Sequence, residues 1–363
     1  MQKRSERFAF LDWSRGLAAV IMLQGHVFHS FTAQDLRESG PYVLSQFVGG
    51  MPPAIFLFLT GVTLAFMMDA RERAGDTPWA RTMRGLRRAG YLLALAYAFR
   101  LQLWVFALPK SPWTDLFRVD ILNGMGLAVA VLSPMAIFTT VERIRLCAVL
   151  GAGIAAASPL VSAMAPGLAP ASVRAWIVPD YFAFGFFPWA SFVAFGVSLG
   201  SILRISDSAH RNRLMQWAAM IGFGLILGAR YAAGLPHSIY ARSDFWLDSP
   251  ALIFIKLGVI LLLLSFAFLW TEYGAGREVG WVRLLGTNSL FVYWVHTELV
   301  YGRVVWFWKE NLGIAAATVC AVGVIVVMVV LTRWKIRVET RAGSLSQAGR
   351  RLAVAPLRTL GLA

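Results

Sequence analysis

The chain is poor in the residues on which most soluble enzymes rely. Only 15% of its 363 residues are charged and two are cysteines, Cys147 and Cys320, whereas 58% are hydrophobic. Both cysteines fall within apolar runs, so we expect small buried side chains and no disulfide framework. A composition this apolar indicates a polytopic membrane protein and argues against a soluble domain of the same length.

Several chemical motifs are also missing from the sequence. The five histidines form no cluster with cysteine or carboxylate at metal-ligand spacing, so no metal site is expected. We recognise no Ser–His–Asp arrangement and no glycine-rich phosphate loop. The two halves of the chain do not match as inverted repeats would, which weakens an interpretation as a secondary transporter.

Ten apolar segments are each about long enough to cross a membrane as a helix. They lie at roughly 9–31, 48–69, 88–108, 119–140, 145–164, 182–203, 213–233, 250–271, 284–306 and 312–332. We therefore predict an all-α fold, a polytopic membrane helix bundle of about 10 transmembrane helices. A single transmembrane domain is expected over residues 1–332, followed by a basic cytoplasmic tail over 333–363.

The chain has a net charge of +15, and its basic residues are concentrated in alternate loops. Lysine and arginine are concentrated in the N-terminus, in the loops at 71–88, 143–145, 204–213 and 277–283, and in the tail from residue 333, whereas the intervening loops hold few. By the positive-inside rule, both termini are cytoplasmic and the chain is a multi-pass protein of the cell inner (plasma) membrane. The charge thus reflects topology and contact with anionic membrane lipid, not nucleic-acid binding.

The first apolar segment is the most informative part of the chain, and residues 12–26 read DWSRGLAAVIMLQGH. Arg15 and His26 are eleven residues apart, so on a helix both point the same way, about 16 Å apart along the axis. Asp12 and His29 share the same broad face. Because ionisable groups in a membrane segment are costly unless they line a cavity or meet partners, all four are candidate functional residues.

Other segments carry isolated polar groups. Arg100 lies near the middle of the third segment and should either pair with Asp120 or bind an anion. The ninth segment holds Asn288 and His296, and two histidine-bearing helices in one bundle favour a shared cavity. Lys256 is close to the outer boundary, where it can snorkel, so it receives little functional weight.

The chemistry that suits these residues is acyl transfer. Imidazole is the side chain best matched to moving a proton near neutral pH. A histidine base, with arginines to hold an anionic co-substrate, suits transfer of an acyl group from a cytoplasmic thioester to a hydroxyl or amine. Spacing favours His26 over His29 as the base without deciding between them, and it leaves open whether an acyl-histidine intermediate forms.

The first segment resembles the transmembrane acyltransferase superfamily, whose acyltransferase-3 branch has an arginine, ten residues and a histidine. Arg15 and His26 match that spacing. Further blocks are similar to the bacterial relatives of heparan-α-glucosaminide N-acetyltransferase. They are residues 11–17, 56–62, 120–126, 187–189 with 195–197, and 285–290 with Tyr293 and His296. Asn123 departs from the pattern, since a glutamine or similar residue is expected there.

The resemblance implies a bundle of ten or eleven helices that binds acetyl-CoA or another acyl-CoA from the cytoplasm and passes the acyl group to a carbohydrate or glycolipid acceptor on the far side. Carried over by position, His26 is the catalytic histidine, and Arg15 is its helix partner near the coenzyme A. The candidate set comprises His26, His296 and Asp12 for catalysis, and Arg15, Arg100, Arg118 and Asn288 for acyl-CoA binding. Formation of a homo-oligomer is left open.

Two other classes of function compete with acyl transfer. A transporter or flippase for a lipid-linked or anionic solute would also need a polar bundle interior, but it should show two pseudo-symmetric halves. A non-catalytic membrane scaffold would have no need of Arg15, His26, Arg100 and His296 inside the bundle.

Overall fold

The computed structural model describes residues 8–164, 170–274 and 280–359. Lys3, Arg4, Arg7 and Arg277, which contribute to the predicted charge asymmetry, lie outside the described residues. Within them the chain forms thirteen α-helices joined by loops and short 3-10 turns, and no β-strand. The prediction of an all-α fold is confirmed.

The helices follow one another along the chain in this order: α1 Ala9–Phe31, α2 Gly40–Gly49, α3 Pro52–Arg73, α4 Pro78–Ala107, α5 Ile121–Leu132, α6 Thr140–Met164, α7 Ala171–Ile177, α8 Phe186–Ile205, α9 Ser208–Ala233, α10 Pro250–Tyr273, α11 Trp281–Thr287, α12 Ser289–Tyr301 and α13 Ile314–Thr359. Helix α3 begins at Pro52. Proline has no backbone N–H, and this costs nothing in the first turn, where the N–H groups have no partner within the helix.

Seven stretches of the described chain are long and apolar enough to cross a membrane. They are Gly40–Arg73, Pro78–Ala107, Trp113–Ile137, Thr140–Met164, Phe186–Ile205, Pro250–Tyr273 and Ile314–Arg341. Helices α1 and α9 are also long, with 23 and 26 residues, but their polar side chains keep them outside this set. The protein is therefore a multi-pass membrane protein.

The ninth predicted segment, 284–306, differs from the expectation of one continuous helix. The structure divides it into α11 and α12 at Asn288, whose φ of −119° and ψ of 25° are not helical. The Asn288 amide donates to the carbonyl of Leu284 at 3.1 Å. Short polar side chains compete in this way with the helical hydrogen bonds, so the run Thr287–Asn288–Ser289 ends one helix and starts another.

One predicted loop boundary also shifts, and one helix crosses the predicted start of the tail. The basic loop predicted at 71–88 is much shorter, because α3 continues to Arg73 and α4 starts at Pro78. The arginines at 81, 84, 87 and 88 are consequently helical. The tail boundary after residue 332 falls inside α13, which continues to Thr359. A single transmembrane domain over 1–332 stays a prediction.

Contacts between residues divide the chain into two compact units. The first unit comprises Met1–Ala18 and Gly50–Arg277, and the second comprises Ala19–Gly49 and Glu278–Ala363. Helix α1 thus contributes its first part to one unit and its remainder to the other. Each unit has its own hydrophobic core: Phe58 and Phe192 are among the buried residues of the first, and Phe31 and Val300 are among those of the second.

Helices α3 and α8 of the first unit pack with their backbones in close approach. A Cβ atom added to Gly61 of α3 would lie 2.0 Å from the carbonyl oxygen of Val193 in α8. No side chain fits in that space, and the small residues allow two membrane helices to approach closely. Packing therefore accounts for Gly61, which lies in the block at 56–62 named above.

The variant Gly61→Ala is expected to lose about 1–3 kcal/mol of stability or more, because only separation of the two helices makes room for the methyl group. Gly228→Ala is the matched control, since nothing lies within 4 Å of its added Cβ. Thermal unfolding in detergent should show a lower midpoint for the first variant alone. Equal midpoints would contradict the close packing.

Candidate functional site

Two histidines meet in the second unit. Nδ1 of His26, in α1, lies 2.9 Å from Nε2 of His296, in α12. Their rings are stacked, with centroids 5.1 Å apart and planes at 18°. His296 is fully buried, and His26 is half-buried. The structure therefore brings together the two histidines that the sequence placed on separate helices.

The hydrogen bonds of this pair assign its tautomers. Nδ1 of His296 lies 2.8 Å from the carbonyl oxygen of Val292. Because a carbonyl only accepts, Nδ1 of His296 carries the hydrogen, and Nε2 of the neutral ring has a lone pair. Nδ1 of His26 must then donate to that lone pair. This leaves Nε2 of His26 unprotonated, so it is the nitrogen of the pair that can accept a proton from a substrate.

Helix α2 supports α1 beside the histidine pair. The side-chain amide of Gln46 donates to the carbonyl of Gly25 at 3.1 Å, and that of Gln24 donates to the hydroxyl of Ser45 at 2.6 Å. A Cβ added to Gly25 would lie 3.0 Å from Cα of Gly49. The backbone immediately before His26 is thus fixed by direct helix contact, which positions the imidazole.

Tyr301, at the end of α12, lies beside the pair. Its ring centroid is 5.5 Å from that of His26 and 6.2 Å from that of His29. Sequence reasoning missed this residue, because it lies in a segment rich in aromatic side chains, which also form belts at membrane interfaces. His29 is exposed and does not join the buried pair, which favours His26 as the base.

In the first unit, Asp12 and Arg15 form an ion pair, with Nη1 of Arg15 3.3 Å from Oδ1 of Asp12. The guanidinium group of Arg88, in α4, is close enough to Arg15 for their charges to interact. Arg88 also donates to the hydroxyl of Thr63 at 2.9 Å. Guanidinium groups are the preferred protein partners of phosphate, so Arg15 and Arg88 are candidate phosphate ligands.

Arg88 is missing from the predicted set because hydropathy placed it at the end of a loop. Its position inside α4 is set by the fold of that helix, whose N-terminal turns project beyond the apolar segment. Helices commonly extend past the hydrophobic stretch that reveals them, so residues at such borders are difficult to assign from the sequence.

Arg100 belongs to a different arrangement. Its Nε lies 3.1 Å from Oδ2 of Asp120, which is the ion pair that the sequence allowed as an alternative to anion binding. Asp120 caps α5 and accepts from the backbone N–H groups of Leu122 and Asn123, while the Asn123 side chain accepts from the N–H of Asp120. These residues therefore have a structural explanation. Arg118 is exposed.

Asn288 lies at the break before α12. Its side-chain oxygen accepts a hydrogen bond from Nζ of Lys335, in α13, at 3.1 Å. The rise of a helix places its Cα about 12 Å from that of His296 along the axis. The side chain thus links α13 to the helix break, and it does not contact the histidine pair.

A comparison with known families now bears on these residues. A family model described as heparan-alpha-glucosaminide N-acetyltransferase, catalytic, matches residues 7–230. The chain belongs to this family. The match confirms the resemblance inferred from the sequence, and it makes the chain a membrane protein of an acetyltransferase family. No curated protein matches the chain.

The matched residues of the heparan-alpha-glucosaminide N-acetyltransferase family include Asp12, Arg15, His26 and Arg88. They end within α9, before α12 begins, so His296 and Asn288 lie outside the match. The contact between His26 and His296 therefore comes from the structure and not from the family.

Proposed function

We propose that the protein transfers an acetyl or other short acyl group from cytoplasmic acyl-CoA to a hydroxyl or amine of a carbohydrate or glycolipid acceptor on the extracytoplasmic side of the cell inner membrane. His26 is the general base. The observation that carries this proposal is the hydrogen-bonded chain from Val292 through His296 to His26, which leaves one imidazole nitrogen free for a substrate proton.

The reaction follows from that arrangement. Nε2 of His26 accepts the proton of the acceptor as its oxygen or nitrogen attacks the thioester carbonyl carbon. The new carbon–oxygen or carbon–nitrogen bond forms, and the tetrahedral intermediate then expels the thiolate of coenzyme A, which takes the proton from His26. The positive charge that His26 carries in between is stabilised by the lone pair of His296, as an orienting acceptor does in other base-containing sites.

The basic residues of the first unit support the choice of donor. Coenzyme A carries phosphates, for which arginine is the preferred partner because its planar guanidinium donates two parallel hydrogen bonds. Arg15 and Arg88 offer two such groups, and Asp12 orients the first. In the sequence, Arg15 precedes His26 by three helical turns and so lies nearer the N-terminus, which is predicted to be cytoplasmic.

Arg88→Gln is expected to raise the KM for acetyl-CoA about tenfold, with kcat little changed, because the lost contact binds the phosphates equally in the ground and transition states. Arg87→Gln is the matched control, since Arg87 is the exposed neighbour on the same helix. Steady-state kinetics over a range of acetyl-CoA concentrations make the comparison. An equal increase in KM for both variants would point to general surface charge instead.

The class of acceptor rests on the family. Its name specifies an N-acetyltransferase that acts on the glucosaminide of heparan, and this suggests a sugar hydroxyl or amine for the present chain. The unprotonated Nε2 of His26 suits either a hydroxyl or an amine, since both must lose one proton. The predicted topology places the His26 end of α1 away from the cytoplasmic N-terminus, which supports an acceptor on the far side.

Purified protein in detergent, supplied with acetyl-CoA and a panel of sugars and amino sugars, tests the proposal. We expect release of free coenzyme A together with an acetylated acceptor detected by mass spectrometry. A wild-type protein that neither binds acetyl-CoA nor consumes it would contradict the proposal. Uptake of an anionic solute by liposomes containing that protein would then favour the transporter interpretation.

A further inference from the structure

We infer that Tyr301 is a second catalytic residue, whose phenol hydroxyl donates a hydrogen bond to the oxyanion of the tetrahedral intermediate. This inference rests on the proposed acyl transfer, and it names the group that stabilises the negative charge while His26 handles the proton. Attack on the thioester moves the carbonyl electron pair onto oxygen. Collapse of the intermediate restores the double bond and expels the thiolate, so Tyr301 itself undergoes no covalent change.

The imidazole N–H groups of the pair cannot serve as this donor. Nδ1–H of His26 is directed at His296, and Nδ1–H of His296 is directed at the carbonyl of Val292. Both are required to keep Nε2 of His26 unprotonated. The donor to the oxyanion is therefore another group near the pair, and a side chain that is neutral and protonated at physiological pH suits this role.

Tyr301 meets those requirements. Its ring packs edge-on against His26, with centroids 5.5 Å apart and planes at 61°. Among the described residues, its hydroxyl has one hydrogen-bond partner, Nδ1 of His29, at a long 3.4 Å. A hydrogen bond of that length is weak, so the hydroxyl can turn to a substrate oxygen at little cost. A phenol keeps its proton at neutral pH.

The backbone around Tyr301 is held rigidly, as electrostatic stabilisation of a transition state requires. The hydroxyl of Ser30 donates to the carbonyl of Val300 at 2.9 Å, and Nζ of Lys309 donates to the carbonyl of Tyr301 at 2.6 Å. Ser30 belongs to α1, the helix of His26. The last turn of α12 is thereby tied to the helix that carries the base.

The loop after α12 strengthens this attachment. The backbone N–H of Glu310 donates to the carbonyl of Ser30 at 3.0 Å, and its carboxylate accepts from Gln34 and Arg37. The hydrogen bond from Gln34 is the main cause that holds the pKa of Glu310 below its ordinary value, and the charge of Arg37 adds to it. Glu310 also has a φ of 54°, a conformation that non-glycine residues adopt where other contacts impose it.

A second phenol lies near the first. Tyr42, in α2, is buried with 7% of its surface exposed, and Tyr301 packs against the hydrophobic cluster that contains it. Both phenols are neutral donors. Neutral donors of this kind can stabilise an oxyanion without protonating Nε2 of His26, so its lone pair stays available for the substrate proton.

The test is Tyr301→Phe, which keeps the ring against His26 and removes only the hydroxyl. We expect kcat for acyl transfer to fall about 10²–10³-fold, as for other single oxyanion donors, with KM for acyl-CoA and acceptor little changed. Tyr231→Phe, at an exposed tyrosine of α9, is the matched control. The loss caused by Tyr301→Phe should persist in the double variant Tyr301→Phe/His26→Ala, because an oxyanion donor contributes catalysis that remains when the base is removed.

The outcomes separate this inference from the proposed function. If His26→Ala is inactive while Tyr301→Phe keeps the wild-type kcat, the oxyanion role is wrong and acyl transfer stands. A change in KM alone would likewise overturn the inference, because it would make Tyr301 a binding residue. If His26→Ala is as active as the wild type, His26 is not the base, whereas a wild type that neither binds nor consumes acetyl-CoA would overturn the proposed function itself. Equal unfolding midpoints for Tyr301→Phe and the wild type establish that the fold is unchanged.

Discussion

His26→Ala is expected to lower kcat for acyl transfer by about 10²–10⁴-fold, which is the usual contribution of a general base. The substitution removes the one nitrogen of the histidine pair that can accept a substrate proton. KM for acyl-CoA should change little, because the proposed phosphate contacts lie near the other end of α1. Steady-state assays of coenzyme A release and of acetylated product measure both parameters.

The control for this prediction is His237→Ala. His237 is an exposed histidine in the loop between α9 and α10 and takes no part in the pair. Its replacement should leave kcat at the wild-type value. Binding of acetyl-CoA by His26→Ala would show that the variant is folded. Retention of wild-type turnover by folded His26→Ala would remove the base from the mechanism.

His296 is expected to matter nearly as much, although we assign it no contact with the substrate. His296→Leu removes the acceptor that holds the hydrogen on Nδ1 of His26, so the base is free to adopt the wrong tautomer. Loss of the orienting group in a comparable triad reduces kcat about 10⁴-fold. We expect a decrease of about 10²–10⁴-fold here, with the pH profile of kcat displaced as well.

His296→Gln is the informative companion variant. A glutamine side chain has a carbonyl oxygen that can accept from Nδ1–H of His26, so this variant should regain much of the activity that leucine loses. The double variant His26→Ala/His296→Leu should be no less active than His26→Ala. A purely additive loss would show that His296 acts independently of His26, which contradicts the tautomer assignment.

The sequence predicted the helical class and the histidines well, and the reason is physical. Apolar segments of this length have few alternatives to a membrane helix, and ionisable residues within them require partners. The sequence therefore singled out His26 and His296 as residues that could share a cavity, and the contact between them comes from the structure. The ion pair of Arg100 and Asp120 was foreseeable on the same grounds.

The sequence could not supply the details that depend on local backbone structure. The division of the ninth segment at Asn288 depends on competition between side-chain and helical hydrogen bonds, which hydropathy does not register. Arg88 was missed because hydropathy placed it at the end of a loop, whereas α4 already begins at Pro78. Tyr301 was one aromatic residue among many, and only its position beside His26 distinguishes it.

The most direct test of the central claim is acyl transfer across a membrane by purified protein in liposomes. Labelled acetyl-CoA is supplied outside and a sugar or amino sugar is trapped inside. Molecules inserted with the predicted cytoplasmic face outward should place the label on the trapped acceptor, and liposomes with His26→Ala should not. Equal labelling of the acceptor by His26→Ala and by the wild type would contradict the account. So would a wild type that binds acetyl-CoA but labels no sugar or amino sugar of the panel.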